Sequence, residues 1–103
     1  GFLEQVEAAS SRTGERVWRL PLPDDYRRMV DSPVADMKNI GGPYGGAITA
    51  GLILDEFVAE GIDWAHLDIA GPAFTDADDA EVVRGGTGFG VRLLVDLARS
   101  FTA

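Results

Sequence analysis

His66 and Asp68 are the two side chains of this sequence best suited to moving a proton. Imidazole is the usual proton carrier near neutral pH, and a neighbouring carboxylate can orient it as a base. Residues two apart on an extended strand project to the same face, so the pair could act together. Such a base needs a nucleophile to activate. Ser10, Ser11 and Ser32 all fall in turn-like or helix-end settings, with no nucleophile motif around them. A triad within the chain is therefore not expected. A single histidine on a buried-looking strand is more often a hydrogen-bonded structural residue. The chain also has no cysteine, so His66 has no thiolate with which to share a metal.

Asp76, Asp78, Asp79 and Glu81 form an acidic loop that invites a calcium reading. They lack the ligand spacing, central glycine and terminal glutamate of an EF-hand, and a solvated loop is the simpler reading. Gly85-Gly86-Thr87-Gly88-Phe89-Gly90 precedes a helical pattern and looks like a phosphate cradle. It has no lysine of the P-loop type, and an acidic loop rather than a strand leads into it. Thr87 as a plain N-cap explains the pattern. Gly41-Gly42-Pro43-Tyr44-Gly45-Gly46 must pass close to something, and a packing helix or a ligand fits equally well.

The elements that carry these groups follow from periodicity. Phe2, Leu3, Val6 and Ala9 recur at helical spacing, and Gly14 offers a stop. Glu15 to Leu20 alternates as a strand, which Pro21 and Pro23 end. Asp24 and Asp25 suit a helix start, with Tyr26, Met29 and Val30 as its apolar face and Pro33 as its limit. Ala47 to Val58 is the strongest predicted helix. Its first two turns are apolar nearly all round, the mark of a helix buried inside a larger body. Gly45, Gly46 and Gly51 would let a neighbouring backbone come close. Trp64 to Ala70 is predicted as a short buried strand that ends in a sharp turn at Gly71. In an α/β protein a substrate pocket is built at such a place. A last helix turns Val91, Leu94, Val95 and Ala98 inward and Arg92, Asp96 and Arg99 toward water. The expected order is α-β-α-α-β-α. Two strands cannot make a sheet with helices on both faces, so either strands from elsewhere join them or the pattern hides more.

Composition narrows the function. The 103 residues are 46% hydrophobic and 25% charged, as in an ordinary globular domain. A formal net charge of -8 repels phosphate backbones and anionic membranes, so no nucleic-acid or membrane partner is expected. Zero cysteines exclude a disulfide framework and fit a cytoplasmic protein. The start at Gly1 lacks a methionine and opens almost directly into a helical pattern, as a piece of a longer protein would. An expression scar or a processed terminus would look the same.

Three blocks carry a family resemblance. Ala35-Asp36-Met37-Lys38-Asn39-Ile40-Gly41-Gly42, followed by Gly46-Ala47-Ile48-Thr49-Ala50, resembles a segment of the leucyl aminopeptidase family of cytosol aminopeptidases. So does Trp64-Ala65-His66-Leu67-Asp68-Ile69-Ala70-Gly71. Gly86-Thr87-Gly88-Phe89-Gly90-Val91-Arg92-Leu93-Leu94 is similar to the family's C-terminal helix. The blocks match in order and spacing from about Val17 to the end. The resemblance implies the C-terminal portion of an α/β sandwich with a central mixed sheet, one catalytic domain of which residues 1–103 are a fragment. It implies a hydrolase that removes N-terminal residues of leucine type from peptides. It further implies a homohexamer and two divalent metal ions, manganese, zinc or magnesium. The metals polarise the scissile carbonyl and activate a bridging water.

The family's metal ligands lie in an upstream lysine-aspartate block and an Asn-Thr-Asp-Ala-Glu-Gly-Arg motif, and neither occurs in this sequence. The resemblance thus assigns no catalytic residue and no metal ligand to the chain, and the 103 residues alone are expected to be inactive. What they would contribute is pocket wall and core packing. Ile40 matches a position lining the pocket for the residue after the cut. Ala70 and Ala73 match positions lining the pocket for the N-terminal side chain. Ala73 is small where relatives can carry methionine, which would leave more room, although neighbouring Phe74 could refill it. His66 and Asp68 match no catalytic position. The rival expectation is a free-standing, non-catalytic binding or assembly module on a hydrolase-derived scaffold.

Overall fold

The computed structural model describes residues 1–101. The chain divides into two compact units, one made of Gly1–Val17 with the chain from Leu67 onward, the other of Trp18–His66. In the first, α1 (Phe2–Thr13) stops at Gly14, which takes the left-handed conformation with φ 76°. Its N–H returns to Ser10 O at 2.9 Å, an ending that glycine adopts without steric cost. α1 packs against the last helix, here called α3 (Val91–Ser100). Val6 and Ala9 from one helix and Leu93 and Leu97 from the other are buried between them.

Glu15 fixes how α3 begins. Its N-cap is Gly90, which has no side chain with which to hold the orphan N–H groups of the first turn. Glu15 supplies the missing acceptor from 78 positions away: Leu93 N donates to Oε2 at 2.8 Å. The Glu15 carboxylate is buried and faces Arg92 Nε at 3.6 Å. Buried charge is tolerated when hydrogen-bonded in this way, and a helix N-terminus favours the negative sign. The buried Ser10 hydroxyl donates to Glu15 O at 2.7 Å and accepts from Val17 N at 3.2 Å. Outside this core, Arg12 Nε and Nη2 both donate to Asp96 Oδ2, at 2.8 and 2.6 Å.

Two short strands, β1 (Phe74–Thr75) and β2 (Gly85–Gly86), pair antiparallel, with Phe74 opposite Gly86 and Thr75 opposite Gly85. In the Trp18–His66 unit, a 3-10 helix (Asp24–Val30) packs against α2 (Gly46–Asp55). Arg27 ties the two by ion pairs to Asp55 and Glu56 at the C-terminal end of α2. Leu52 and Val30 are buried in this unit.

Several expectations change. Glu15–Leu20 and Trp64–Ala70, expected as strands, run without a ladder partner among the described residues, so neither is a strand here. Strand character needs a paired edge, and the one described ladder lies instead in segments whose glycine and aspartate content hid it. The observed order is therefore α1, 3-10 helix, α2, β1, β2, α3. α2 is shorter than expected, giving way to a turn at Glu56–Val58. The inward face of α3 is also different. Leu93 is 0% exposed, whereas Val91 is 62% and Leu94 52% exposed. α3 has two apolar stripes, and the narrower Leu93–Leu97 stripe is the one that meets α1.

The Glu15 contact generates a stability prediction. Glu15→Ala should destabilise the protein by about 2–3 kcal/mol, through loss of a charge-assisted bond and of the helix-terminal charge. Glu15→Gln keeps an acceptor for Leu93 N and should cost about 1 kcal/mol. Urea unfolding of both variants checks the ranking.

Candidate functional site

The chain from Asp68 to Ala73 folds as a tight turn built by its own polar groups. Asp68 Oδ1 accepts from Ala70 N at 3.0 Å, an Asx-type turn. Ala73 N donates to Ile69 O at 2.9 Å, closing the loop over Ala70, Gly71 and Pro72. The two pocket alanines expected from the sequence thus stand at opposite ends of one turn, Ala70 exposed and Ala73 half-buried. Phe74 is the first residue of β1 and is 62% exposed.

Thr87 braces this turn from the glycine-rich segment. Thr87 N donates to Ala73 O at 2.9 Å, and Oγ1 donates to Pro72 O at 2.5 Å. The hydroxyl also accepts from Phe89 N at 3.2 Å. Thr87 is therefore not the N-cap of α3, because the helix starts at Val91 behind Gly90. Sequence reasoning missed this role because both partners are far away in the chain. The available signal was a lone hydroxyl set among glycines.

Ile40, the third expected pocket residue, belongs to the Trp18–His66 unit and is 70% exposed. The loop bearing it is pinned at the next residue. A Cβ on Gly41 would lie 2.7–2.9 Å from three side-chain atoms of Thr49, in the first turn of α2. Thr49 is buried, its hydroxyl donating to Gly46 O at 3.2 Å. A Cβ on Gly42 would come within 3.1 Å of Met29 Cε. Gly45 and Gly46, expected as close-approach sites, have open space around them. Gly45 is needed instead for its left-handed φ of 68°. Gly51 is closely approached, but by side chains rather than by a backbone, with Leu22 Cδ2 3.0 Å and His66 Cδ2 3.9 Å from where its Cβ would stand.

The acidic loop largely satisfies itself. Asp78 Oδ1 accepts from Arg84 N at 2.8 Å, and Asp79 and Val82 exchange backbone bonds at 2.9 and 2.8 Å. Glu81 accepts from Arg92 Nη1 at 3.2 Å. That hydrogen bond is the main reason the guanidinium is held more firmly charged than usual, with Glu15 adding to it. Among the described residues no group of three or more histidine, aspartate or glutamate side chains could hold a metal ion. Nor is any helix among them long and apolar enough to cross a membrane.

The first unit thus combines two packed helices with a braced turn, and among the described residues there is no metal-binding set. A sequence model of the cytosol aminopeptidase family, catalytic domain, matches residues 1–95, and the chain belongs to that family. It is 52% identical over 96 residues to a probable cytosol aminopeptidase of Aquifex aeolicus, covering 92% of this chain and 20% of that protein. It is 50% identical over 99 residues to one of Alkaliphilus metalliredigens, covering 96% of this chain and 20% of that protein. The chain thus spans about a fifth of the curated relatives it matches. Among solved structures, the bottromycin maturation enzyme BotP in complex with Mn superposes with a TM-score of 0.91 at 49% identity, covering 96% of this chain and 22% of that one. The cytosol aminopeptidase of Coxiella burnetii gives 0.87 at 34% identity, covering 98% and 22%.

The Gly41 contact is directly testable. Gly41→Ala should destabilise the protein by about 1–3 kcal/mol by overpacking against Thr49. Gly46→Ala, which meets nothing, should be neutral or stabilise by up to about 1 kcal/mol. Thermal unfolding of the two variants separates them.

Proposed function

We propose that this chain is the C-terminal part of a metal-dependent aminopeptidase, and that it supplies substrate-pocket wall and core packing. Membership in the family supports the activity class, and the short share of each relative supports the reading as a portion. The observation that carries the pocket assignment is the Ala70–Ala73 turn. Ala70 is exposed at one end, Ala73 is half-buried at the other, and hydrogen bonds at both ends hold the backbone between them. In this reading Ala70 and Ala73 line the pocket for the N-terminal side chain, and Ile40 meets the residue after the cut.

By family likeness, the two divalent ions would be bound by residues upstream of this chain. Such ions polarise a carbonyl and lower the pKa of bound water. The present residues act by shape. A small Ala73 leaves volume for a branched or long apolar side chain, while the braced backbone keeps that volume constant. Manganese in the BotP structure supports a divalent cofactor. Identities of 49% to BotP and 50–52% to the cytosol aminopeptidases are too close to favour one kind of peptide. By family likeness, the whole protein would act on peptides in the cytoplasm as a homohexamer.

Two measurements test this. On a leucine amide with manganese, the full-length protein should turn over while the 103-residue chain alone does not. Robust turnover by the isolated chain would overturn the pocket-wall assignment. In the full-length protein, Ala73→Met should lower kcat/KM for leucine relative to alanine substrates about tenfold or more. Unchanged relative rates across leucine, methionine and alanine substrates would remove Ala73 from the pocket.

A further inference from the structure

The antiparallel ladder ends at the Phe74–Gly86 pair, just short of the Ala70–Ala73 turn. Beyond that pair no strand restrains the carbonyls of Pro72 and Ala73. Both are nonetheless bonded, and both by Thr87: the amide takes Ala73 O at 2.9 Å and the hydroxyl takes Pro72 O at 2.5 Å. The hydroxyl is itself aimed by Phe89 N, which donates to it at 3.2 Å. Gly86 and Gly88 flank Thr87, so no adjacent side chain could take over the contact. Gly88, at φ 67°, bends the backbone away immediately afterwards.

We propose that Thr87 is a positioning residue for substrate selection. It fixes Ala73, and with it the room offered to the substrate's N-terminal side chain. The idea rests on the pocket reading of Ala70 and Ala73 given above. The physical lever is contact distance. In Thr87→Val a methyl replaces Oγ1, and a methyl carbon approaches a carbonyl oxygen no closer than about 3.3 Å. The Pro72 carbonyl must retreat by about 1 Å from its present contact, and the turn loses one of its two ties to Thr87.

The test uses the full-length, manganese-loaded protein and a panel of leucine, methionine and alanine amides. Thr87→Val should reduce the leucine-to-alanine ratio of kcat/KM at least threefold. It should also speed amide exchange in residues 69–75 about tenfold. Thr87→Ser, which restores the hydroxyl, should keep the wild-type ratio within about twofold. Ala73→Met, run beside them, reports on the pocket reading itself. If Ala73→Met shifts the ratio and Thr87→Val does not, the positioning role is overturned while the pocket reading stands. If neither shifts it, both fail. Should Thr87→Val not fold, Thr87→Ser still decides the matter, because a changed ratio there contradicts a hydroxyl-based role. The wild-type protein offers a last check: a Thr87 amide exchanging as fast as in an unstructured peptide would overturn the proposal without any variant.

Discussion

A buried carboxylate organises the unit that holds the Ala70–Ala73 turn. Glu15 leaves α1 through the Gly14 turn and places its oxygen on Leu93 N, two residues inside α3. A charge in that position must be fully partnered or driven out toward water. Its partners are the N-terminus of α3, which has no side-chain cap, and a guanidinium, both of opposite sign. The apolar contact between the helices is small, resting on Val6, Ala9, Leu93 and Leu97. Polar contacts therefore do much of the work of choosing one arrangement, with Ser10 holding the Glu15 backbone and Arg12 holding Asp96. Fixing the start of α3 also fixes the path of Gly85–Gly90 before it. That path delivers Thr87 to the carbonyls of Pro72 and Ala73.

Local signals were legible where local physics decides. Gly14 stops α1, Asp24 and Asp25 open the 3-10 helix, and the apolar run after Gly45 becomes α2. Signals that depend on a distant partner were not. Trp64–Ile69 has the composition of a strand, but a strand is completed by its neighbour, and no described residue provides one. α3 shows why periodicity alone misplaces a face. Both Leu93–Leu97 and Val91–Leu94–Val95–Ala98 recur at helical spacing, and only the position of α1 selects between them. In the same unit Val83 is also exposed, and in the other unit Trp18, Ile40 and Phe57 are exposed.

The candidate site divides in the same way. The resemblance marked Ala70, Ala73 and Ile40, but it could not show what holds them in place. The turn itself was readable from Gly71, while the bonds across it to Thr87 span fourteen and fifteen positions and leave no periodic trace. The glycines tell a similar story. Gly45 and Gly46 stand out in the sequence, yet Gly41 is the residue that a side chain would drive into Thr49. Close approach depends on where the first turn of α2 lies, and the loop's own composition does not encode that.

On the proposed reading, the Ala70–Ala73 turn is pocket wall. The most direct measurement is a crystal structure of the full-length protein bound to a non-hydrolysable peptide analogue with an N-terminal leucine. The leucine side chain is expected within about 4 Å of Ala70 and Ala73, and the following residue against Ile40. A leucine side chain seated on other residues, with this turn open to solvent, would contradict it.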